Sequence, residues 1–357
     1  VRLGHPREIL MRALSLLAML FLIGFMGGAS ARAYAGGSDY HLEVGPAEVV
    51  TIDRLTLRDA AREKDLQCAV RYPKNAAGPL PLVVFSHGAG GDSRAFSSLS
   101  EHWASWGYIV VHPTHSDSVR LRKEQGENIT DLRKEMRNIV SKVDLPDRVA
   151  DIRFILDSIP EIEKAAGVRI DRERIAMAGH SAGALTTQVI AGVKVRAARR
   201  FGGKGTVLSV KSAGDPRIKA ALVISGQGPG GLLTEDSWNE LTLPMLVITG
   251  SKDSSTVTDE TPESRRKPYE LAKPGDKYLL WIEGATHSSF GGGPNAAVRA
   301  ILGEAQAENI EMIVDSTSSA TTAFLDAYLR SDTGAKAYLR SDALEEFTDG
   351  KAELEHK

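Results

Sequence analysis

The stretch best suited to chemistry is Gly179-His180-Ser181-Ala182-Gly183. It follows the apolar run Arg174–Ala178 and opens a second one, Ala184–Ile190. A G-x-S-x-G pentapeptide alone is a weak signal, but between a strand and a helix it is a strong one. A serine at a sharp strand-to-helix turn needs tiny neighbours, because backbone passes close on either side. The helix N-terminus behind it lends free N–H groups and a dipole to developing negative charge. The pattern predicts a nucleophile at Ser181 rather than an idle serine in a glycine-rich turn.

A serine hydroxyl is a poor nucleophile without an adjacent base. For a nucleophile seated in this way, the triad follows the chain order serine, acid, histidine. Of nine histidines, only His287 and His356 lie beyond the expected acid. His356 stands in a charged C-terminal tail, whereas His287 follows the apolar run Lys277–Ile282 in Glu283-Gly-Ala-Thr-His287. His287 is therefore the expected base. The preceding run, Met245–Thr249, leads through a glycine to Asp253, the expected acid. Asp253 would accept the Nδ1–H of His287, fixing its tautomer and stabilising the imidazolium. Asp259 and Glu260 are the alternatives.

Two backbone donors must face the developing oxyanion. The N–H of Ala182 is one. The other is expected from His87-Gly88-Ala89-Gly90-Gly91, which follows the run Leu80–Ser86, with Ala89 ahead of Gly90. His87 is expected to bond to structure rather than to substrate. His112, His115, Ser116 and Asp117 end another strand on the same rim, where they either line the pocket or pack the loop.

The elements that position these residues read as alternating strands and helices. Leu80–Ser86, Tyr108–His112, Arg174–Ala178, Ala220–Ser225, Met245–Thr249 and Lys277–Ile282 are short, apolar and closed by turn signals. Strands buried on both faces of a parallel sheet read this way. Helix patterns lie between them at Phe96–Trp106, Arg148–Ile159 and Thr321–Arg330. The expected fold class is α/β: a mostly parallel, doubly wound sheet flanked by helices. Val44–Tyr72 is expected to supply earlier strands. Ser118–Lys142 is dense in charge and reads first as a solvated helical insertion. Its position after a strand's carboxyl end would also suit a flap over the site. Being charged rather than apolar, it is not expected to make a greasy lid. The gap between Ser225 and the next strand near Leu243 is too short for a multi-helix cap.

The bulk numbers exclude some partners. The net charge of −2 over 357 residues supplies no field for nucleic acid. The single cysteine, Cys68, can form no disulfide within the chain and no metal cluster, and no cofactor is expected. At the N-terminus, Met11-Arg12 precedes an apolar stretch and small-residue cleavage sites at Ala29-Ser30-Ala31 and Ala33-Tyr34-Ala35. Residues 1–35 are expected to be a signal peptide, with residues 36–357 as one domain in a periplasmic or secreted protein without a stable membrane anchor.

From about Leu80 to Leu339 the chain resembles the dienelactone-hydrolase-like branch of α/β hydrolases, close to platelet-activating-factor-acetylhydrolase-like esterases. The resemblance is carried by Phe85-Ser-His-Gly-Ala-Gly-Gly91, Ala178-Gly-His-Ser-Ala-Gly183, Asp215-Pro-Arg-Ile-Lys-Ala-Ala221, Ile248-Thr-Gly-Ser-Lys-Asp253, Gly284-Ala-Thr-His287 and Phe324-Leu-Asp-Ala-Tyr-Leu329. It implies the α/β-hydrolase fold and a triad of Ser181, Asp253 and His287. Dienelactone hydrolases proper use a cysteine nucleophile, and the equivalent position here is Ser181, with Cys68 far upstream. The expected activity is hydrolysis of short-acyl or exposed esters, small or polymeric, through an acyl-enzyme. A cutinase-type polyesterase, an amide hydrolase and a non-catalytic binding protein of this fold are the alternatives.

Overall fold

The computed structural model describes residues 40–196, 214–255, 258–293 and 307–357. The expected signal segment, residues 1–35, lies outside the described residues. Among those described, nine strands form one sheet. They are β1 (Val49–Asp59), β2 (Lys64–Pro73), β3 (Pro79–Ser86), β4 (Ile109–Pro113), β5 (Arg169–His180), β6 (Ile218–Ile224), β7 (Met245–Lys252), β8 (Lys277–Thr286) and β9 (Ala352–His356). Their spatial order is β1-β2-β4-β3-β5-β6-β7-β8-β9. The pairs from β4 to β8 are parallel, and β1–β2, β2–β4 and β8–β9 are antiparallel. The six short apolar runs correspond to β3 through β8.

The helices are α1 (Ser97–Ser105), α2 (Val119–Glu124), α3 (Leu132–Asn138), α4 (Leu145–Asp157), α5 (Ile159–Ala166), α6 (Ala182–Ala191), α7 (Pro262–Leu271) and α8 (Ile310–Leu329), followed by two short C-terminal turns of helix. Successive residues of a strand face opposite sides, and β3 shows what each side meets. Val83 and Phe85 join a core with Trp103 of α1 and Phe324 of α8. Leu82 and Val84 join another with Ile152 and Ile155 of α4. Both faces of the central strands are covered, which is why those runs read as continuously apolar.

One expectation is corrected here. The charged tail holding His356 is a strand, β9, paired with β8 at the sheet edge. Its alternating Ala-Glu-Leu-Glu-His suits an edge, where charge on the open side discourages further pairing. The charged insertion is helical and largely exposed, as expected, and one side of it also borders the hollow beside Ser181. Helix α3 and a 3₁₀ turn at Ile139–Lys142 line that hollow with Leu132, Met136, Ile139 and Val140. Arg122 meanwhile pairs with Glu127 and Glu135.

Candidate active site

Strand β5 ends at His180, and α6 begins at Ala182. Ser181 sits between them at φ 54° and ψ −118°, a left-handed conformation that a non-glycine residue adopts only under constraint. Two contacts impose it. Ser181 N–H donates to the Ile224 carbonyl at 3.1 Å, and its own carbonyl accepts from Leu185 N–H at 3.1 Å. The flanking glycines are steric requirements. A methyl group on Gly183 would overlap the Ser86 carbonyl, and one on Gly179 would overlap the Gly183 carbonyl. The turn therefore packs directly against the end of β3.

The other two expected residues converge on Ser181. Nε2 of His287, just past β8, lies 3.0 Å from Ser181 Oγ. Nδ1 lies 3.0 Å from Oδ1 of Asp253, just past β7. A carboxylate only accepts, so Nδ1 carries the ring proton and bare Nε2 faces the serine hydroxyl. Asp259 and Glu260 make no bond to His287, while Asp253 is wholly buried behind it. The neighbouring hollow, about 610 Å³, is lined by Gly88, Ala89, Ser181 and His287. Its opposite wall comes from the insertion: Leu132, Met136, Ile139 and Val140.

The chlorophyllase family profile matches residues 46–203, a span that holds the loop after β3 and the Ser181 turn. A crystal structure of a protein provisionally named a dienelactone hydrolase, from Klebsiella pneumoniae subsp. pneumoniae, superposes with a TM-score of 0.54 at 19% identity. It covers 79% of this chain and 100% of its own. The chain has the α/β-hydrolase fold. At that identity the neighbour speaks for the fold of this chain and for nothing finer. No curated protein matches the sequence.

The electrostatics of the site follow from burial. Burial alone would raise the Asp253 carboxyl. The Arg265 guanidinium, with Nε 2.9 Å from Oδ1, and the bonds from His287 and Ser225 outweigh it and hold the group at about 2. Asp253 also accepts from Thr249 Oγ1 at 2.9 Å and from Ser225 Oγ at 2.7 Å on each oxygen. His180 is buried, which pushes it down to about 3, with the nearby His287 adding to the effect. It stays neutral and lies with Nε2 2.7 Å from the His287 carbonyl, to which it donates.

The loop 87–91 carries Ala89, the residue expected to donate to an oxyanion. Ala89 N–H and Ala182 N–H have no hydrogen-bond acceptor among the described residues. Gly90 N–H, the second choice from sequence, is taken by Asp117 Oδ2 at 2.9 Å. His87 bonds to backbone, and His115 and Asp117 are buried beneath the loop rather than lining the hollow.

Sequence reading missed Ser225, Arg265 and Arg148. Ser225 lies just past β6 at φ 52°, where a positive φ for serine leaves no mark in the sequence. Arg265 lies in the charged run Glu263-Ser-Arg-Arg-Lys267, which reads as a solvated face. Among the described residues no group of three or more His, Cys, Asp or Glu is placed to hold a metal ion. A second hollow of about 620 Å³, beside Ile310, Asp315 and Phe347, lacks any serine or histidine in its lining.

Proposed function

We propose that this α/β hydrolase is a serine carboxylic-ester hydrolase working through an acyl-enzyme. The observation that carries the reading is the unbroken row from Ser181 Oγ to His287 to Asp253, opening onto a hollow that Ala89 also lines. His287 Nε2 takes the serine proton as Oγ attacks the ester carbon. The imidazolium that forms is balanced by ionised Asp253. The oxyanion is met by the amides of Ala89 and Ala182. The imidazolium then protonates the leaving alkoxide. Water repeats the cycle to release the acid, with His287 again as base.

Short-acyl or protruding esters suit the site best. Leu132, Met136, Ile139 and Val140 offer an apolar wall to a few carbons, each buried CH₂ contributing roughly 0.8 kcal/mol. Export to the periplasm or beyond, after removal of residues 1–35, is proposed on the sequence pattern alone. The test is a fluorophosphonate probe followed by turnover of paired aryl esters and anilides. Labelling at Ser181 with ester turnover supports the reading. Faster anilide turnover would favour an amide hydrolase, and no labelling would favour a binding protein.

A further inference from the structure

The loop between β3 and α1 is tied down from beneath with one amide left over. Arg148, near the start of α4 and wholly buried, donates from Nη1 to the His87 carbonyl at 2.7 Å and from Nη2 to the Gly88 carbonyl at 3.3 Å. The Gly88 carbonyl also accepts from Gly91 N–H at 3.1 Å and from His87 Nδ1 at 2.6 Å. That last donation is forced, because His87 Nε2 accepts from His115 N–H at 3.0 Å. Burial first, and Arg148's charge second, push His87 down to about 4, so its ring holds one proton and that proton is on Nδ1.

Asp117 completes the arrangement. Its carboxylate takes two bonds from Arg148, at 2.9 and 2.8 Å. Oδ2 also accepts Gly90 N–H at 2.9 Å, while Val119 N–H donates to the Gly90 carbonyl at 3.1 Å. Below the same loop runs a second serine–histidine–aspartate row. Ser86 Oγ lies 2.9 Å from His115 Nε2, and His115 Nδ1 lies 2.9 Å from Asp151. All three residues are fully buried, so no ester reaches them. The row anchors Ser86 to the block that Arg148 also touches, with Nη1 3.4 Å from Ser86 Oγ.

Peptide geometry turns these ties into a direction. In a trans peptide the C=O and the following N–H point opposite ways, and no cis peptide occurs among the described residues. Drawing the Gly88 carbonyl inward onto Arg148 and His87 therefore turns Ala89 N–H outward, to the hollow that Ala89 lines with Ser181. Asp117 withdraws the competing Gly90 amide.

We infer that the buried Arg148–Asp117 pair is a positioning clamp that selects the Ala89 amide as oxyanion donor and holds it ready before substrate arrives. The inference rests on the serine-esterase reading of the same site. A donor fixed in advance needs no reorganisation at the moment of reaction, and losing one outright costs about 10²–10³ in kcat.

The test uses the full-length protein with Asp117→Asn, Asp117→Ala and the double variant Arg148→Met/Asp117→Asn. The double variant leaves no lone buried charge, which would by itself threaten folding. Active sites are first counted with an aryl phosphonate. Then kcat per labelled site, KM and the affinity for an aryl boronic acid, a tetrahedral mimic, are measured. In Asp117→Ala and the double variant, kcat per site should fall about 10–100-fold with KM little changed, short of complete loss of the donor. Boronate affinity should fall in parallel. Asp117→Asn should keep most activity, since its amide oxygen can still accept Gly90 N–H. Unchanged kcat per site and unchanged boronate affinity in Asp117→Ala and the double variant would overturn the clamp while leaving the esterase reading intact. Wild-type protein that fails to label at Ser181 would overturn the esterase reading and the clamp together.

Discussion

The Ser225 hydroxyl lies 2.6 Å from Nδ1 of His287, closer than the Asp253 carboxylate at 3.0 Å. Its single proton goes to Asp253, so a lone pair is left for the His287 N–H. The His287 ring is thereby held by two acceptors at once, and the serine braces the carboxylate it shares. Ser225→Ala should lower kcat by about 10–100-fold with KM nearly constant, the size of one hydrogen bond to a charged group. Steady-state kinetics on an acetyl aryl ester checks this, and wild-type kcat in the variant would show that Ser225 is a bystander.

Ser181 is held at φ 54°, and such strain costs of order 1–3 kcal/mol. Both Ser181→Ala and Ser181→Gly should abolish turnover, triad losses typically costing on the order of 10⁴–10⁶. Only the glycine variant removes the side chain that resists the left-handed turn. Its thermal midpoint should exceed that of the alanine variant. Calorimetry on the two proteins decides it, and equal midpoints would mean the turn stores no usable strain.

Acid should destabilise the fold from near neutrality downward. Burial is the leading cause that pushes His87 and His102 down to about 4 and His180 to about 3, with His112 and His115 well below their ordinary value. Unfolded, all five titrate near 6.5. Below that pH the unfolded chain binds more protons than the folded one, so stability falls as pH drops from about 6.5 toward 4. Asp253 adds to this at lower pH. Its folded value of about 2 means its contribution is complete above about 4 and is lost as pH falls toward 2. Thermal melts across pH 7.5 to 4.5 should show a steady decline, with a shallower slope in His180→Phe. A flat profile down to pH 5 would contradict the buried neutral rings.

The apolar wall should read acyl length. Ile139 is buried and presses on Gly90, where an added methyl would meet its Cδ1 at 3.0 Å, while Val140 is 46% exposed at the rim. Met136→Asp should weaken turnover of butyryl esters more than of acetyl esters, by roughly 0.8 kcal/mol per CH₂ that no longer finds an apolar partner. The ratio of the two kcat/KM values is the readout. An unaltered ratio would place the acyl chain elsewhere in the hollow.

Cys68 should be silent. It is wholly buried in β2, and burial pushes its thiol far up, away from the reactive thiolate. Native protein should resist iodoacetamide, and Cys68→Ala should keep full activity per folded molecule. Rapid alkylation with loss of turnover would contradict this.

The fold was legible because its central strands are buried on both faces. Burial on both faces forces a continuous apolar run, and such runs stand out at β3 through β8. The edge was harder. β9 reads Ala-Glu-Leu-Glu-His, five residues that carry charge because one side is open, and charge made it resemble a tail. The insertion reads as a solvated helical segment and is largely exposed, but its contribution to the hollow is harder to read. Its arginines and glutamates dominate the composition, yet Leu132, Met136, Ile139 and Val140 share one side. Only the packing of one short helix and the 3₁₀ turn after it against the Ser181 side sets them along the hollow.

At the site, the sequence by itself determined the turn around Ser181 and the order in which Asp253 and His287 follow it. Small residues are demanded there by local sterics, and local demands leave local marks. What only the tertiary structure decided is how those residues are held. Arg148, Asp117, Ser225 and Arg265 come from four separate places in the chain, and each reads as an ordinary polar residue of its own segment. Their partners lie 28 to 62 positions away in several of the bonds that matter, such as Ser225 to Asp253 and to His287 and Arg148 to Ser86. A buried charge is tolerated only where folding brings its counter-charge and its hydrogen-bond acceptors to the same point, and nothing in the local sequence encodes that meeting.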